Sequence, residues 1–192
     1  MTQNLSILLQ KSASEHSHLC PRQVLGVRMG LAGLAFLGVK APVTTKTLLV
    51  IIETDGCFAD GMRVATGATV GHRTLRVADL GKIAATFIDL KTGASLRLAP
   101  RLDIRTRAVI YAPEEKRRYI AQLKGYQIMP DDELFSYQRV ELQIPPTQII
   151  SHQNARAHCS NCGEEVINKR EVVVEGEVLC QTCAYGGYYR SI

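Results

Sequence analysis

The feature that most restricts the fold of this 192-residue chain lies near its end, in CSNCGEEVINKREVVVEGEVLCQTCAYGGYYR. Cys159 and Cys162 form one C-x2-C pair and Cys180 and Cys183 a second, with seventeen residues between them. Each pair presents two sulfurs from one tight loop, and four thiolates at tetrahedral corners are the ligand set of a structural zinc ion. Gly163 relieves the first knuckle, Gly176 turns a hairpin between Glu171–Glu175 and Val178-Leu179, and the second pair opens a short helix through Ala184 and Tyr185. Knuckle, hairpin and helix predict a treble-clef zinc finger over residues 156–192. A unit of about 35 residues builds too small a core to fold alone, and the metal substitutes for it. Four thiolates also fill the coordination sphere, which gives the ion a structural role.

Charge argues against a nucleic-acid function. The formal +5 is modest, and a zinc tetrathiolate lowers it further. In the tail, Glu164, Glu165, Glu171, Glu175 and Glu177 offset Lys169, Arg170 and Arg190. Elsewhere Arg101, Arg105 and Arg107, then Lys116-Arg117-Arg118, read as solvated faces rather than a phosphate track. A zinc-finger regulator that binds nucleic acid is the least favoured reading. MTQNLSILLQKSAS lacks a basic n-region, and the longest apolar stretch, Val24 to Val39, is broken by Arg28 and glycines. The expectation is a cytoplasmic protein with no membrane segment. The other two cysteines, Cys20 and Cys57, stand far apart in the first third of the chain. A disulfide framework is a poor account of six cysteines without a secretion signal.

Residues 1–147 read as one α+β domain. Asn4–Ala13 predicts a short helix with Leu5, Leu8 and Leu9 on one face. Cys20-Pro21 opens a second helix, because proline suits the first helical position; Gly38 and Pro42 stop it. Lys46–Thr54 is a β-branched apolar run typical of a buried strand, and Asp55-Gly56 leads into a helix over Cys57–Ala65. TGATVGH is a loop, Ile83–Leu90 a strand, and Lys91-Thr92-Gly93 a turn into a strand at Ser95–Leu98. Pro113–Lys124 predicts an amphipathic helix with Ile120 and Leu123 inward, and Val140, Leu142 and Ile144 alternate as a last strand. Pro145-Pro146 marks the boundary, with a linker from Gln148 to Ala157. The order lacks a strict βαβ repeat, which favours α+β over a doubly wound fold.

The chemistry of the front half centres on EHSHLCPRQVLGVRMG, residues 15–30. In an extended segment His16 and His18, two apart, share one side. Cys20 and Cys57 each stand at a helix N-terminus, where the macrodipole favours an anion and lowers a thiol pKa. Two such cysteines on either side of one strand can converge at one sheet edge. With a histidine they give three ligands and an open position, the pattern of a reactive metal site held by His16, His18, Cys20 and Cys57. Catalytic candidates are then Cys20, Cys57, His18 and Asp60, with His16 or Asp60 as acid/base support. The alternative is that both cysteines are small buried hydrophobes and the histidines cap the helix. Arg28 pairs with Asp55 or Asp60 or recognises an anion, and Lys82 is a strand-edge lysine.

In sequence order, HSHLCPRQVLGVRMG and TDGCFADGMRVATGATVGHRTLRVADLGKIAATF resemble the FmdE family of formylmethanofuran dehydrogenase subunits. The residues that carry the resemblance are His16, His18, Cys20-Pro21, Gly26, Arg28, Cys57, Asp60, Thr66-Gly67 and Gly81-Lys82, spread over about residues 10 to 140. Arg22 replaces the glycine usual after Cys-Pro, and Ala68-Thr69 replaces a Cys-Thr that the loop often carries. The resemblance implies a thioredoxin-like core with a mixed sheet flanked by helices, a metal site in that core, and an auxiliary treble-clef finger. It also implies association with molybdenum or tungsten enzyme subunits that interconvert carbon dioxide and the formyl group on methanofuran. A homodimer is expected too, with the glycine-rich second helix as a packing face. The functional expectation is therefore a metal-binding accessory protein or subunit of such an oxidoreductase, with zinc in the tail and a second metal in the core. The alternative is a stand-alone enzyme using that core metal.

Overall fold

The computed structural model describes residues 5–43, 45–150 and 152–190. The chain divides into two compact units, Met1–Leu142 and Gln143–Ile192.

The first unit begins with helices α1 (Leu5–Glu15) and α2 (Pro21–Leu37). Strand β1 (Leu48–Ile52), helix α3 (Cys57–Thr66) and strands β2 (Leu75–Val77), β3 (Ala85–Asp89) and β4 (Ser95–Pro100) follow. Helices α4 (Ile104–Tyr111), α5 (Arg118–Ile128) and α6 (Asp131–Leu134) lead to β5 (Phe135–Arg139). The strands form one mixed sheet in the order β2-β1-β3-β4-β5. Only β1 and β2 run parallel, joined by the crossover through α3, and the remaining pairs are antiparallel. This is the mixed sheet flanked by helices that the sequence implies.

Register places Val50, Phe87 and Leu96 side by side across three strands, and all three are fully buried. Helix α2 lies on this face at Gly33, where a Cβ would sit 2.6 Å from the Phe87 ring. A helix buried over most of its surface must be largely apolar, and α2 is, with Val24, Val27 and Met29 at zero exposure and Arg22, Ala35 and Phe36 left exposed. Against α3 the approach is closer still. A Cβ on Gly26 would stand 2.3 Å from the Phe58 carbonyl oxygen, and one on Gly61 2.3 Å from that of Gln23. The glycine face of α2 is thus used within the unit, on α3 and Phe87.

Several expected elements are displaced. Helix α1 runs two residues past Ala13, and its expected first residue, Asn4, lies outside the described residues. The helix expected at Pro113–Lys124 starts at Arg118 and extends to Ile128, while the unforeseen α4 precedes Pro113. Helix α4 buries only Ile104 and Ala108, too thin a stripe to read as a periodic signal. The last strand is Phe135–Arg139, not the alternating Val140, Leu142 and Ile144. As an edge strand with only Phe135 buried it shows a charged and polar face.

The second unit contains α7 (Pro146–Ile149), the hairpin β6 (Arg156–His158) and β7 (Glu165–Ile167), the hairpin β8 (Val172–Val174) and β9 (Glu177–Leu179), and α8 (Gln181–Tyr185). Glu175 and Gly176, both at positive φ, make the tight turn of the second hairpin. Among the described residues of this unit only Cys159 and Asn168 are buried. No helix among the described residues of the chain is long and apolar enough to cross a membrane.

Candidate functional site

The four tail cysteines converge. Their sulfurs all lie within 4.8 Å of one another, and Cys162 Sγ is 3.9 Å from Cys180 Sγ. Zinc–sulfur bonds of about 2.3 Å at tetrahedral angles separate sulfurs by about 3.8 Å, so the cluster fits such an ion. The knuckle is held by Gly163 N–H on the Cys159 carbonyl and Cys159 N–H on that of Glu164, and Gly163 takes a φ of 75° to close it. Cys180 caps α8, its sulfur accepting the Cys183 N–H at 3.3 Å. Backbone N–H groups of Cys162 and Cys180 hold the Cys159 thiol down to about 6. Cys162, despite the Glu164 N–H, is pushed up to about 12 by Cys159 beside it, so the further thiolates form only as a cation binds.

In the first unit, Cys20 is the N-cap of α2 and Pro21 its first residue. Gln23 fixes the entry: its Oε1 accepts the Cys20 N–H at 2.8 Å, and its Nε2 donates to the Ser12 carbonyl at 3.0 Å and to Ser12 Oγ at 3.1 Å. Both Gln23 and Ser12 have zero exposure, so this buried staple ties α1 to the start of α2. Sequence reasoning missed it, although a Gln three residues past an N-cap is half of a capping box.

Cys57 opens α3 after Gly56, whose φ of 71° swings the chain into the helix. Asp60 follows one turn later on the same helical face. His16, just beyond α1, lies between them. Its Nε2 is 3.1 Å from Cys57 Sγ, and its Nδ1 is 3.0 Å from Asp60 Oδ2. An ion pair between Glu15 and Arg63 pins the same end of α1 to α3. With the carboxylate accepting from Nδ1–H, Nε2 faces the thiol as an acceptor. Burial pushes the Cys57 thiol up, Cys20 beside it adds to this, and Arg22 opposes it.

His18 stands beside His16, with ring centroids 5.5 Å apart, but its Nδ1 meets Ser17 rather than Cys57 or Asp60. Ser17 adopts a φ of 65°, which breaks the alternation. His18 is exposed, with Nδ1 3.4 Å from Ser17 Oγ. Among the described residues, only the tail cysteines bring three or more ligand atoms within 4.8 Å of one another. His16, His18, Cys20 and Cys57 are therefore not arranged as a three-ligand cradle. Both ring nitrogens of His16 already face other side chains.

The remaining motif residues serve the scaffold. Arg28 pairs with neither Asp55 nor Asp60. Its guanidinium donates to the carbonyls of Tyr126 and Met129 at 2.8 and 2.6 Å and to Asp131 Oδ1 at 2.7 Å, capping the end of α5. Thr66 Oγ1 donates to the Met62 carbonyl and accepts the Ala68 N–H, and Ala68 is buried. Lys82 is exposed just before β3. Cys20 and Cys57 open onto a cavity of about 620 Å³ whose wall includes Tyr126, Arg101 and Arg105. The arginines, read from sequence as solvated, stand at this opening because α4 follows β4 directly.

A family model described as FmdE, molybdenum formylmethanofuran dehydrogenase operon, matches residues 15–136. The chain belongs to the FmdE family. The FmdE match spans His16, Cys20, Cys57, Asp60 and every residue that lines the cavity. A probable S-adenosyl-L-methionine-binding protein of Archaeoglobus fulgidus is 30% identical over 207 residues, covering 96% of this chain and 54% of that protein. The chain thus spans about half the length of that curated relative. Among solved structures, a tungsten formylmethanofuran dehydrogenase FmdE-like protein from Syntrophus aciditrophicus superposes with a TM-score of 0.62. At 18% identity, over 97% of this chain and 95% of that one, the likeness is one of fold.

Proposed function

We propose that this FmdE-family chain is an accessory protein or subunit of a molybdenum- or tungsten-dependent enzyme that interconverts carbon dioxide and a carrier-bound formyl group. The observation that supports this reading is the family match over residues 15–136, which takes in the whole of the cysteine–histidine–aspartate cluster and its cavity. The division of labour follows from the two sites. The tail cluster holds zinc as a structural ion, because four thiolates leave no position for a reacting ligand. Chemistry, if this chain supplies any to the assembly, belongs to the cavity, where a base and a thiol meet.

The test is affinity capture of the tagged full-length chain from its native host, before and after cross-linking, with elemental analysis of the eluate. The expected result is a large oxidoreductase subunit with molybdenum or tungsten in fixed ratio to the bait. Capture under both conditions with neither metal nor such a subunit contradicts the proposal.

A further inference from the structure

The cavity carries more chemistry than a family name supplies. We propose that Cys57, with His16 as its base, is a nucleophilic thiol that attacks the electrophilic carbon of a small organic anion bound in the arginine-rimmed cavity. The inference stands apart from the oxidoreductase association, since each can fail without the other.

Three observations carry it. The first is order: carboxylate, imidazole and thiol stand in line, at 3.0 Å between Asp60 and His16 and 3.1 Å between His16 and Cys57. A base in reach of a nucleophile and oriented by a third group is the arrangement that activates a weak nucleophile. The second is access: the thiol is half-buried and opens onto a cavity of about 620 Å³, a size suited to a small molecule. The third is charge. Arg22, Arg101 and Arg105 line that cavity, and no Asp or Glu does. None of the three forms an ion pair among the described residues. Tyr126 also lines the cavity, and burial pushes its hydroxyl up to about 12.

Burial disfavours a free thiolate at Cys57 before a substrate arrives. As the S–C bond forms, the Cys57 proton passes to His16 Nε2, and Asp60 stabilises the imidazolium. With a carbonyl compound the C=O π pair moves to oxygen, which takes the proton back from His16 and leaves a neutral hemithioacetal. With a haloacetate the C–X pair leaves as halide and the proton remains on His16. Neither step needs an oxidant or a reductant.

The probes are iodoacetate, an anionic electrophile, and iodoacetamide, its neutral analogue. Both are applied to the full-length protein, with labelling of Cys57 followed by peptide mass spectrometry and free cysteine in the same solution as the reference. The expected iodoacetate-to-iodoacetamide rate ratio at Cys57 exceeds that of free cysteine by about tenfold or more. Arg101→Ala with Arg105→Ala, both exposed, lowers the iodoacetate-to-iodoacetamide ratio at Cys57 toward that of free cysteine. His16→Ala lowers both rates by about 100-fold. Asp60→Asn, at a positioning residue, lowers both rates less and leaves their ratio intact. A ratio at Cys57 equal to that of free cysteine overturns the anion site in the parent protein, with no variant required. Unchanged rates in folded His16→Ala overturn the relay.

Discussion

Adding one methyl group at Gly61 tests how the scaffold holds its cluster. The alanine Cβ would meet the Gln23 carbonyl oxygen at 2.3 Å and the Val27 nitrogen at 2.9 Å. Both are main-chain atoms in a buried stretch of α2, so neither can rotate away, and α2 and α3 must separate. Overpacking of a close-packed interior costs about 1–3 kcal/mol, and contact with backbone on this scale belongs at the upper end. Alanine recovers about 1 kcal/mol over glycine in a helix interior. The net loss is therefore about 2 kcal/mol, or roughly 4–8 °C in melting temperature for a chain of this size. Gly71→Ala is the control, because nothing lies within 4 Å of its added Cβ. Thermal and urea denaturation of the two variants beside the parent provide the comparison. Because α2 and α3 carry Cys20 and Cys57 at their starts, Gly61→Ala also changes the labelling rate of Cys57 in the folded protein. If Gly61→Ala melts at or above the parent, helix propensity alone governs the position, and the close crossing is not what sets the site.

Other perturbations test other parts of the scaffold. Arg28→Ala strips the donor from the Tyr126 and Met129 carbonyls and costs about 2–3 kcal/mol by urea denaturation. Arg28→Lys recovers only part, because an ammonium cannot reproduce the fork; full recovery would show that charge alone matters. Glu53 receives two hydrogen bonds from Arg97, at 2.5 and 2.8 Å. The Arg97 hydrogen bond holds its carboxyl below the ordinary 4.5, against the upward push of burial. A carboxyl depressed on folding contributes stability that is present above its unfolded pKa and lost as pH falls through its folded one. The urea-midpoint gap between parent and Glu53→Gln is therefore constant above about pH 5 and narrows as pH falls below the ordinary 4.5. A gap that widens as pH falls, or that narrows only as pH rises, contradicts the assignment.

The parts legible in the sequence were those set by local chemistry. Cys20-Pro21 reads as a helix start because proline needs no N–H donor there, and the two C-x2-C pairs read as one cluster because their spacing leaves few other uses. Cys57 and Asp60 share a helical face by arithmetic alone. The choice between His16 and His18 was not legible. It depends on a left-handed turn at Ser17, a residue with no glycine-like signal, and on α1 lying against α3 forty-one residues on. The cavity was hidden for a similar reason. Arg105 belongs to a helix whose sequence, IRTRAVIY, buries one residue per turn and shows no stripe, and Arg101 to the short turn before it. Edge strand β5 was masked by the more regular alternation just after it, because an edge strand with one buried residue needs no such pattern.

The central claim is that the two units divide the chemistry: the tail cysteines converge as a metal site, and Cys20 and Cys57 in the core do not. Metal content per chain decides it, measured on the full-length parent, on Cys20→Ser with Cys57→Ser, and on Cys159→Ser with Cys162→Ser. About one zinc per chain is expected in the parent and in the core variant, and none in the tail variant. A second equivalent of metal in the parent that disappears with Cys20 and Cys57 would contradict it.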